Sequence, residues 1–289
     1  MQSLNDKVVA ITGAGSGFGR EFARLAARLG MRLALSDVQS DALDAVVDEL
    51  READVSSDVV DVADSVQMER WADRVFNRHG AVHLLMNNAG VGGGGFVWET
   101  TESDWQWIMG VNLMGVVHGV RHFVPRMLAS EARGEPAHVV NTASMAGWLA
   151  APLMGVYNVS KHAVVALSET LFHDLRLAKS NIGVTVLCPA FVPTGIATSH
   201  RNRPVDVGSE VTPTASQRMA QSAIEKAVGG GKMTAAEVAR MTFDAVRENR
   251  FYVFTHPRIL PSLDARFAAV LSGALPADPY AARPTLKPA

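Results

Sequence analysis

Short runs of β-branched and apolar residues alternate with helix-length amphipathic segments along most of this chain. A strand buried on both faces reads as a continuous apolar run, and strand–helix–strand repeats join parallel strands through right-handed crossovers. The pattern therefore predicts an α/β fold: a single Rossmann-type, doubly wound parallel sheet of about seven strands with helices on both faces. The predicted strands are 7–12, 32–37, 55–62, 82–90, 137–144, 183–190 and 251–256.

The spacing of apolar residues between these strands predicts the helices, and two segments interrupt the alternation. Residues 195–233 are rich in Gly, Ser, Thr and Pro, and we expect a lid over a ligand there rather than a variable surface insertion. The Ala- and Pro-rich tail 273–289 is expected to pack loosely or against a neighbouring subunit. No linker divides the chain, so one domain over 1–289 is predicted. The predicted helices are 18–29, 39–52, 64–79, 102–129 and a helix that begins at 155.

The composition excludes several classes of partner. The chain has 289 residues with 27 basic and 29 acidic side chains, and no block of one charge marks a surface for nucleic acid or an anionic membrane. The single cysteine, Cys188, cannot form an intrachain disulfide, which favours a reducing compartment. The N-terminus lacks the pattern of a signal peptide, and no apolar run is long enough to span a bilayer. These features predict a cytoplasmic protein.

A glycine-rich turn, ITGAGSGFGR (11–20), joins the first predicted strand to the first helix. Glycines let the backbone turn sharply, and the free N–H groups at the helix N-terminus attract a pyrophosphate. In this position the turn favours dinucleotide binding over a plain tight turn. The residues predicted to contact the cofactor here are Thr12, Gly13, Ser16, Gly17, Phe18 and Gly19.

Asp37 ends the second predicted strand, where a carboxylate can accept hydrogen bonds from both hydroxyls of an adenosine ribose. It would repel a 2′-phosphate, and its neighbour Val38 carries no compensating charge, so NAD is predicted over NADP. Asp37 can also cap the helix that follows, and the two roles are compatible. Further contacts are predicted at the ends of the third and fourth strands, at Asp61, Val62, Asn88, Ala89 and Gly90.

Several motifs occur in a fixed order that resembles the short-chain dehydrogenase/reductase family. The resemblance covers about residues 5–195 and extends more loosely to 256. No single motif is specific, but their order within the strand–helix alternation is. The motifs are TGAGSGFG (12–19), Asp37, Asp61-Val62, NNAG (87–90), Asn112 in GVNLMGV, Ser144 in TASMAG, Tyr157 and Lys161 in YNVSK, and PAFVPT (189–194).

The resemblance implies four catalytic residues. Tyr157 is implied to be the general acid/base that exchanges a proton with the substrate oxygen, and Ser144 to hydrogen-bond that oxygen. Lys161, one helical turn after Tyr157, is implied to favour the phenolate and to hold the nicotinamide ribose. Asn112 is implied to hold a water that links the lysine to solvent, although such a residue can also serve helix packing.

The family usually has Pro-Gly where this chain has Pro189-Ala190. The alanine methyl group is expected to narrow the pocket or to shift the loop slightly, without loss of activity. By resemblance, Pro189, Val192 and Thr194 are expected to contact the nicotinamide end of the cofactor. No metal site is predicted.

The predicted substrate is a hydrophobic or aromatic secondary alcohol or ketone, because apolar residues flank the implied site. Each of these residues could instead serve core or subunit packing. Two further segments resemble the subgroup of dehydrogenases that act on benzylic alcohols of aryl ethers. The candidate substrate residues are Phe96, Met145, Trp148, Phe191 and Ile196.

The motifs favour an NAD-dependent alcohol dehydrogenase or ketone reductase over two other functions. An NADPH-dependent biosynthetic ketoreductase is disfavoured by Asp37. A non-catalytic nucleotide-binding scaffold has no need of Asn112, Ser144, Tyr157 and Lys161 together. The family resemblance also implies a homodimer or homotetramer that pairs through the helices after the fourth and fifth strands.

Overall fold

The structure is a computed structural model that describes residues 1, 3–204 and 212–280. Seven parallel strands form one sheet in the order β3–β2–β1–β4–β5–β6–β7, which confirms the predicted doubly wound α/β fold. The strands are β1 (Val8–Thr12), β2 (Arg32–Asp37), β3 (Val55–Val59), β4 (Leu84–Asn87), β5 (His138–Thr142), β6 (Gly183–Cys188) and β7 (Tyr252–Phe254).

Helices connect the strands and cover both faces of the sheet. The predicted helix over 102–129 is divided by one π-helical turn, Gly110–Met114. Short 3₁₀ helices occur at Met145–Gly147, Gly195–Asn202 and Pro257–Ile259. The α-helices are α1 (Gly17–Arg28), α2 (Ser40–Glu49), α3 (Ser65–His79), α4 (Glu102–Met109), α5 (Gly115–Glu131), α6 (Gly155–Leu177), α7 (Ala215–Gly229), α8 (Ala235–Glu248) and α9 (Leu260–Ser272).

The core has one layer on each face of the sheet. Phe22 of α1 and Phe243 of α8 are fully buried on one face, and Trp71 of α3 and Phe123 of α5 on the other. The strand order reverses between β1 and β4, where neighbouring loops leave in opposite directions. In doubly wound sheets ligands bind at the carboxyl ends of the strands at such a point. The fold therefore places the candidate site above β1 and β4.

One of the two segments that interrupt the sequence pattern contains a helix. Helix α7 lies inside the predicted lid region 195–233, and its first turn is closed by a reciprocal cap between Thr214 and Gln217. Residues 205–211 of that region and 281–289 of the predicted tail lie outside the described residues. Within the part of the chain that the structure covers, no helix combines the length and apolarity needed to cross a membrane.

A buried chain of side-chain hydrogen bonds joins the end of β4 to β5 and α6. The Asn87 amide donates to Asn141 Oδ1 at 2.9 Å, and Asn141 Nδ2 donates to the Ser168 hydroxyl at 3.0 Å. Gly119 of α5 lies directly over Asn87, and a Cβ at this glycine would overlap the amide oxygen. The absence of a side chain at Gly119 therefore lets α5 approach the strand end that leads into the site.

We predict that Gly119→Ala lowers the free energy of unfolding by about 1–3 kcal/mol, because the new methyl group must displace Asn87 or α5. Urea denaturation of the variant against the wild-type protein measures the change. Gly229→Ala is the matched control, since a Cβ at this helical glycine meets nothing within 4 Å. Equal stability of the two variants would contradict the close packing.

Candidate active site

Thr12, at the end of β1, binds the loop that follows β4. Its hydroxyl accepts hydrogen bonds from the backbone N–H groups of Asn88 at 2.9 Å and Ala89 at 3.1 Å. The Asn88 amide returns a bond to the Thr12 carbonyl at 3.0 Å. Gly13 has a φ of +66°, and a Cβ there would lie 2.8 Å from the Ala89 Cα. A glycine is therefore required where the two loops meet.

A cavity of about 500 Å³ opens above these loops. Thr12 and Gly19 do not line it: Thr12 is buried beneath the loops, and Gly19 packs α1 against the Gly13 carbonyl. The other predicted cofactor residues do line it, namely Gly13, Ser16, Gly17, Phe18, Asp37, Asp61, Val62, Asn88, Ala89, Gly90, Tyr157, Lys161, Pro189, Val192 and Thr194.

The N-terminus of α1 faces this cavity without a side-chain cap. Ser16 precedes the helix and its side chain makes no capping hydrogen bond, whereas Asp64 caps α3 and Thr101 caps α4. Uncapped N–H groups and the positive end of the helix dipole form a binding site for an anion. The cavity and the uncapped helix fit a dinucleotide whose pyrophosphate lies at Ser16–Phe18.

Two carboxylates in the cavity are held in place by backbone groups. Asp37 Oδ2 accepts from Gly15 N at 2.8 Å and its Oδ1 accepts from Gln39 N at 3.0 Å. Asp61 Oδ1 accepts from Ala63 N at 2.9 Å. Asp37 therefore holds the backbone just before α2, but it does not cap that helix, whose N-cap Gln39 lacks a side-chain capping bond. Asp37 also lines the cavity.

Tyr157 and Lys161 lie one turn apart on α6 and both line the cavity. Lys161 is only 3% exposed, and its ammonium donates to the Thr142 carbonyl at 2.9 Å. The same nitrogen lies 5.8 Å from the centre of the Tyr157 ring. Ser144 follows β5 and caps the short helix Met145–Gly147, and its hydroxyl donates to the Pro189 carbonyl at 3.3 Å.

Burial controls the acidity of this pair within the protein. Burial raises the pKa of the Tyr157 phenol above its usual range, and the neighbouring Ser144 hydroxyl acts weakly in the opposite direction. Burial also lowers the pKa of Lys161 to about 8. Both shifts disfavour charge, so the protein alone favours the neutral phenol. The implied lowering of the tyrosine pKa therefore depends on positive charge that a bound cofactor brings.

Asn112 lies in the π-helical turn and is fully buried. Its Oδ1 accepts from Val91 N at 2.8 Å, and its Nδ2 donates to the Val91 carbonyl at 3.0 Å and to the Ser160 hydroxyl at 3.1 Å. These bonds use both hydrogens of the side-chain amide and one acceptor site of its oxygen. The geometry gives Asn112 the role of fixing the loop after β4 against α6, beside Lys161.

Ala190, which replaces the usual glycine, is accommodated without backbone strain, because it is not among the residues with a positive φ. Its N–H donates to the Thr255 hydroxyl at 3.4 Å. Ala190 lines both this cavity and a second one beside it. The alanine methyl group therefore forms part of the pocket wall, and its backbone needs no left-handed conformation.

The second cavity has a volume of about 170 Å³ and an apolar lining. Three predicted substrate residues, Met145, Phe191 and Ile196, line it. Phe96 and Trp148 do not. Phe96 stacks on the Trp98 ring at 4.7 Å, and the Trp148 indole donates to the Cys188 sulfur at 3.2 Å within an aromatic cluster.

Part of this second cavity is formed by residues that the sequence reasoning did not select. Ile224 of α7 and Tyr280 after α9 both line it. The tail therefore contributes to this cavity through Tyr280, the last residue that the structure describes. The signal for α7 was available in the Thr214–Gln217 capping pattern. No local pattern indicates that Tyr280 returns to the site. Among the described residues, no group of three or more His, Cys, Asp or Glu could hold a metal.

Comparison with known proteins agrees with this geometry. The family described as short chain dehydrogenase matches residues 7–204. The chain belongs to the short-chain dehydrogenase/reductase family. A member from Burkholderia phymatum, solved in complex with NAD, shares 51% sequence identity and superposes with a TM-score of 0.93, over 96% of this chain and 99% of that one. This dehydrogenase is therefore an oxidoreductase with a nicotinamide cofactor.

Two curated relatives match nearly the whole dehydrogenase. The C alpha-dehydrogenase of Sphingobium sp. is 32% identical over 288 residues, covering 98% of this chain and 92% of the relative. The CLA biosynthesis dehydrogenase/reductase of Lactiplantibacillus plantarum is 31% identical over 281 residues, covering 96% and 97%. The resemblance of the sequence to this family, and to the subgroup of the first relative, is thereby confirmed.

We predict that Lys161→Met stabilises the cofactor-free dehydrogenase at pH 7 by on the order of 2 kcal/mol, since it removes a buried charge. The lysine pKa is lowered to about 8 in the folded state, so between about pH 8 and pH 10 the unfolded state binds more protons. Wild-type stability therefore rises with pH in this window, and the difference between the two proteins shrinks.

Urea denaturation at pH 7 and pH 9.5 measures this difference. Lys226→Met, at an exposed position on α7, is the control and is expected to change little at either pH. A stability difference for Lys161→Met that does not change with pH would contradict the lowered pKa.

Proposed function

We propose that this protein transfers a hydride between NAD(H) and a hydrophobic secondary alcohol or ketone, with Tyr157 as the general acid/base. The proposal rests on one observation above all: the two cavities meet at Ser144 and Tyr157, which line both of them. A cofactor in the larger cavity and an apolar substrate in the smaller one would therefore meet at these two hydroxyl groups.

The residues at this junction can carry out the proton transfer. The nicotinamide cofactor supplies or accepts the hydride. The Ser144 hydroxyl can hydrogen-bond the reacting oxygen and orient it towards Tyr157. The phenol donates its proton when a ketone is reduced and takes one up, as phenolate, when an alcohol is oxidised. Lys161 stands next to the ring and stabilises the phenolate form by its charge.

The lining of the smaller cavity supports an uncharged, apolar substrate. None of the described lining residues carries a charge, and most are Ala, Leu, Ile, Met, Phe or Pro. A carboxylate or phosphate on the substrate would lose its hydration there without gaining a partner. The Sphingobium relative is named a C alpha-dehydrogenase, which supports a benzylic alcohol as one candidate within this class.

Asp37 supports NAD over NADP. Its carboxylate lines the cavity and is fixed by Gly15 and Gln39, so it cannot easily turn away from a 2′-phosphate. A carboxylate accepts hydrogen bonds from ribose hydroxyls but repels a phosphate. The NAD in the Burkholderia structure is in accord with this preference.

We also propose that the chain is one domain in which 195–233 acts as a lid and that two or four copies associate. Ile196 and Val228, near the two ends of this segment, line both cavities. Met114 and Val159, on the helices implied to pair, have exposed side chains that support an apolar contact between copies. The cytoplasmic location stays a prediction.

We predict that wild-type protein turns over apolar ketones with NADH and that Tyr157→Phe lowers this turnover by about 10²–10⁴-fold, the usual contribution of a general acid. A panel of alkyl and aryl ketones, followed by NADH absorbance, measures it. NADH binding by the variant is expected to stay within about twofold.

The control for this prediction is Tyr252→Phe, whose hydroxyl donates to Glu169 on the protein surface. It is expected to keep full turnover. Undiminished turnover in Tyr157→Phe would remove Tyr157 from the mechanism, and NADH binding without turnover across the whole panel would count against the enzymatic proposal itself.

We predict that the wild-type protein binds NADH about 100-fold more tightly than NADPH, because like charges placed together cost several kcal/mol. Asp37→Asn should reduce this ratio about tenfold, since the amide keeps an acceptor but loses the charge. Fluorescence titration measures both constants. Asp61→Asn, which alters the other carboxylate of the cavity, should leave the ratio unchanged, and tighter binding of NADPH by the wild type would refute the assignment.

A further inference from the structure

We propose that Arg201 is a cofactor-binding residue whose guanidinium group binds the pyrophosphate of the dinucleotide. This inference rests on the proposed function, because it assigns a residue to the same cofactor. Arg201 belongs to the 3₁₀ helix Gly195–Asn202 and lines the larger cavity. Its role is argued from its position in the structure alone.

The charge balance of the cavity supports this role. Among the described lining residues, the charged side chains are Asp37, Asp61, Lys161 and Arg201. A dinucleotide brings two negative charges on its pyrophosphate. Lys161 is buried beside Tyr157 at the reacting end, and Arg20 of α1 is paired with Glu49. Arg201 is therefore the lining cation that stays available to the phosphates.

The position of the guanidinium group fits the centre of the cofactor. Its Nη1 donates to the carbonyls of Gly195 at 3.1 Å and Thr198 at 2.8 Å, which anchors it on its own helix. Its Nε donates to Gln39 Oε1 at 3.4 Å. Gln39 lies two residues after Asp37. Arg201 therefore contacts both the start of the proposed lid and the side of the cavity where Asp37 is proposed to bind the ribose.

Two glycines place this start of the lid against the anion-binding turn. Thr194 precedes Gly195, and its Cβ lies 3.3 Å from where a Cβ of Gly17 would be. A Cβ at Gly195 would lie 2.9 Å from Arg201 Nη2. The missing side chain at Gly195 leaves room for the guanidinium group beside the turn at which α1 presents its uncapped N–H groups.

In this arrangement the pyrophosphate would receive hydrogen bonds from two sources. The backbone N–H groups at the start of α1 are one, and the Arg201 guanidinium group is the other. An arginine can donate two hydrogen bonds to one phosphate, which are stronger than neutral ones. Because Arg201 is exposed and held by carbonyl oxygens rather than by a carboxylate, it can turn towards the phosphates without breaking an ion pair.

The test compares wild-type protein with Arg201→Gln, Arg201→Lys and Arg218→Gln. Arg218 is an exposed arginine on α7 that donates to the Pro213 carbonyl, and it serves as the matched control. NADH, NADPH and ADP-ribose are titrated directly, and adenosine is measured by displacement of NADH, in low and in high salt. No turnover is required for any of these measurements.

We expect Arg201→Gln to weaken NADH and ADP-ribose by about tenfold each in low salt and by less in high salt. Adenosine affinity should not change, Arg201→Lys should recover part of the loss, and Arg218→Gln should match the wild type. Unchanged affinities in Arg201→Gln would overturn the inference. So would a loss that includes adenosine, or one confined to NADPH, since these place Arg201 at the ribose. Failure of the wild type to bind NADH or ADP-ribose would instead overturn the proposed function.

Discussion

The hydrogen bonds between Thr12 and the loop after β4 determine the geometry on which the site depends. A single hydroxyl accepts two backbone N–H groups, and the Asn88 amide closes the contact from the other side. The two loops at the reversal of strand order are thereby held at backbone contact, with Gly13 against Ala89. The cavity floor, the start of α1 and the position of Val91 beside Asn112 all follow from this contact. Thr12, which does not line the cavity, thus fixes loops that do.

The electrostatics of the site are incomplete in the protein alone. Burial pushes both Tyr157 and Lys161 towards their neutral forms, although the proposed mechanism uses a phenolate and an ammonium. A buried lysine charge lowers the stability of the folded protein, and such residues are found where a functional site requires them. A positively charged nicotinamide would favour the phenolate of Tyr157, but it would not reduce the cost of the charged Lys161 beside it. Acid/base function and cofactor binding are therefore energetically coupled at this site.

The fold and the polar residues of the larger cavity could be predicted because they depend on local sequence patterns. These patterns are apolar runs for strands, glycines at a turn, and polar side chains at strand ends. The sequence placed Asp37, Ser144, Tyr157 and Lys161 around one cavity, as the structure does. It could not separate Thr12 and Gly19, which support the cavity, from the residues that line it. Whether a residue lies at the cavity surface or beneath it produces no pattern in the local sequence. Trp148 was misplaced for the same reason: an apolar residue near Ser144 suits a pocket or an aromatic cluster equally well.

Part of the wall of the smaller cavity comes from the chain beyond the family match. The match ends at residue 204, whereas Ala220, Ile224, Ile259 and Tyr280 lie beyond it and complete the apolar lining. The matched part therefore supplies nearly all of the larger cavity and the residues proposed for proton transfer, and the remainder completes the wall of the smaller cavity. Exchange of the later segment between related genes could alter which alcohols are accepted while leaving the sheet and the nucleotide site intact. Divergence of substrate range within such a lineage would then need few compensating changes in the core.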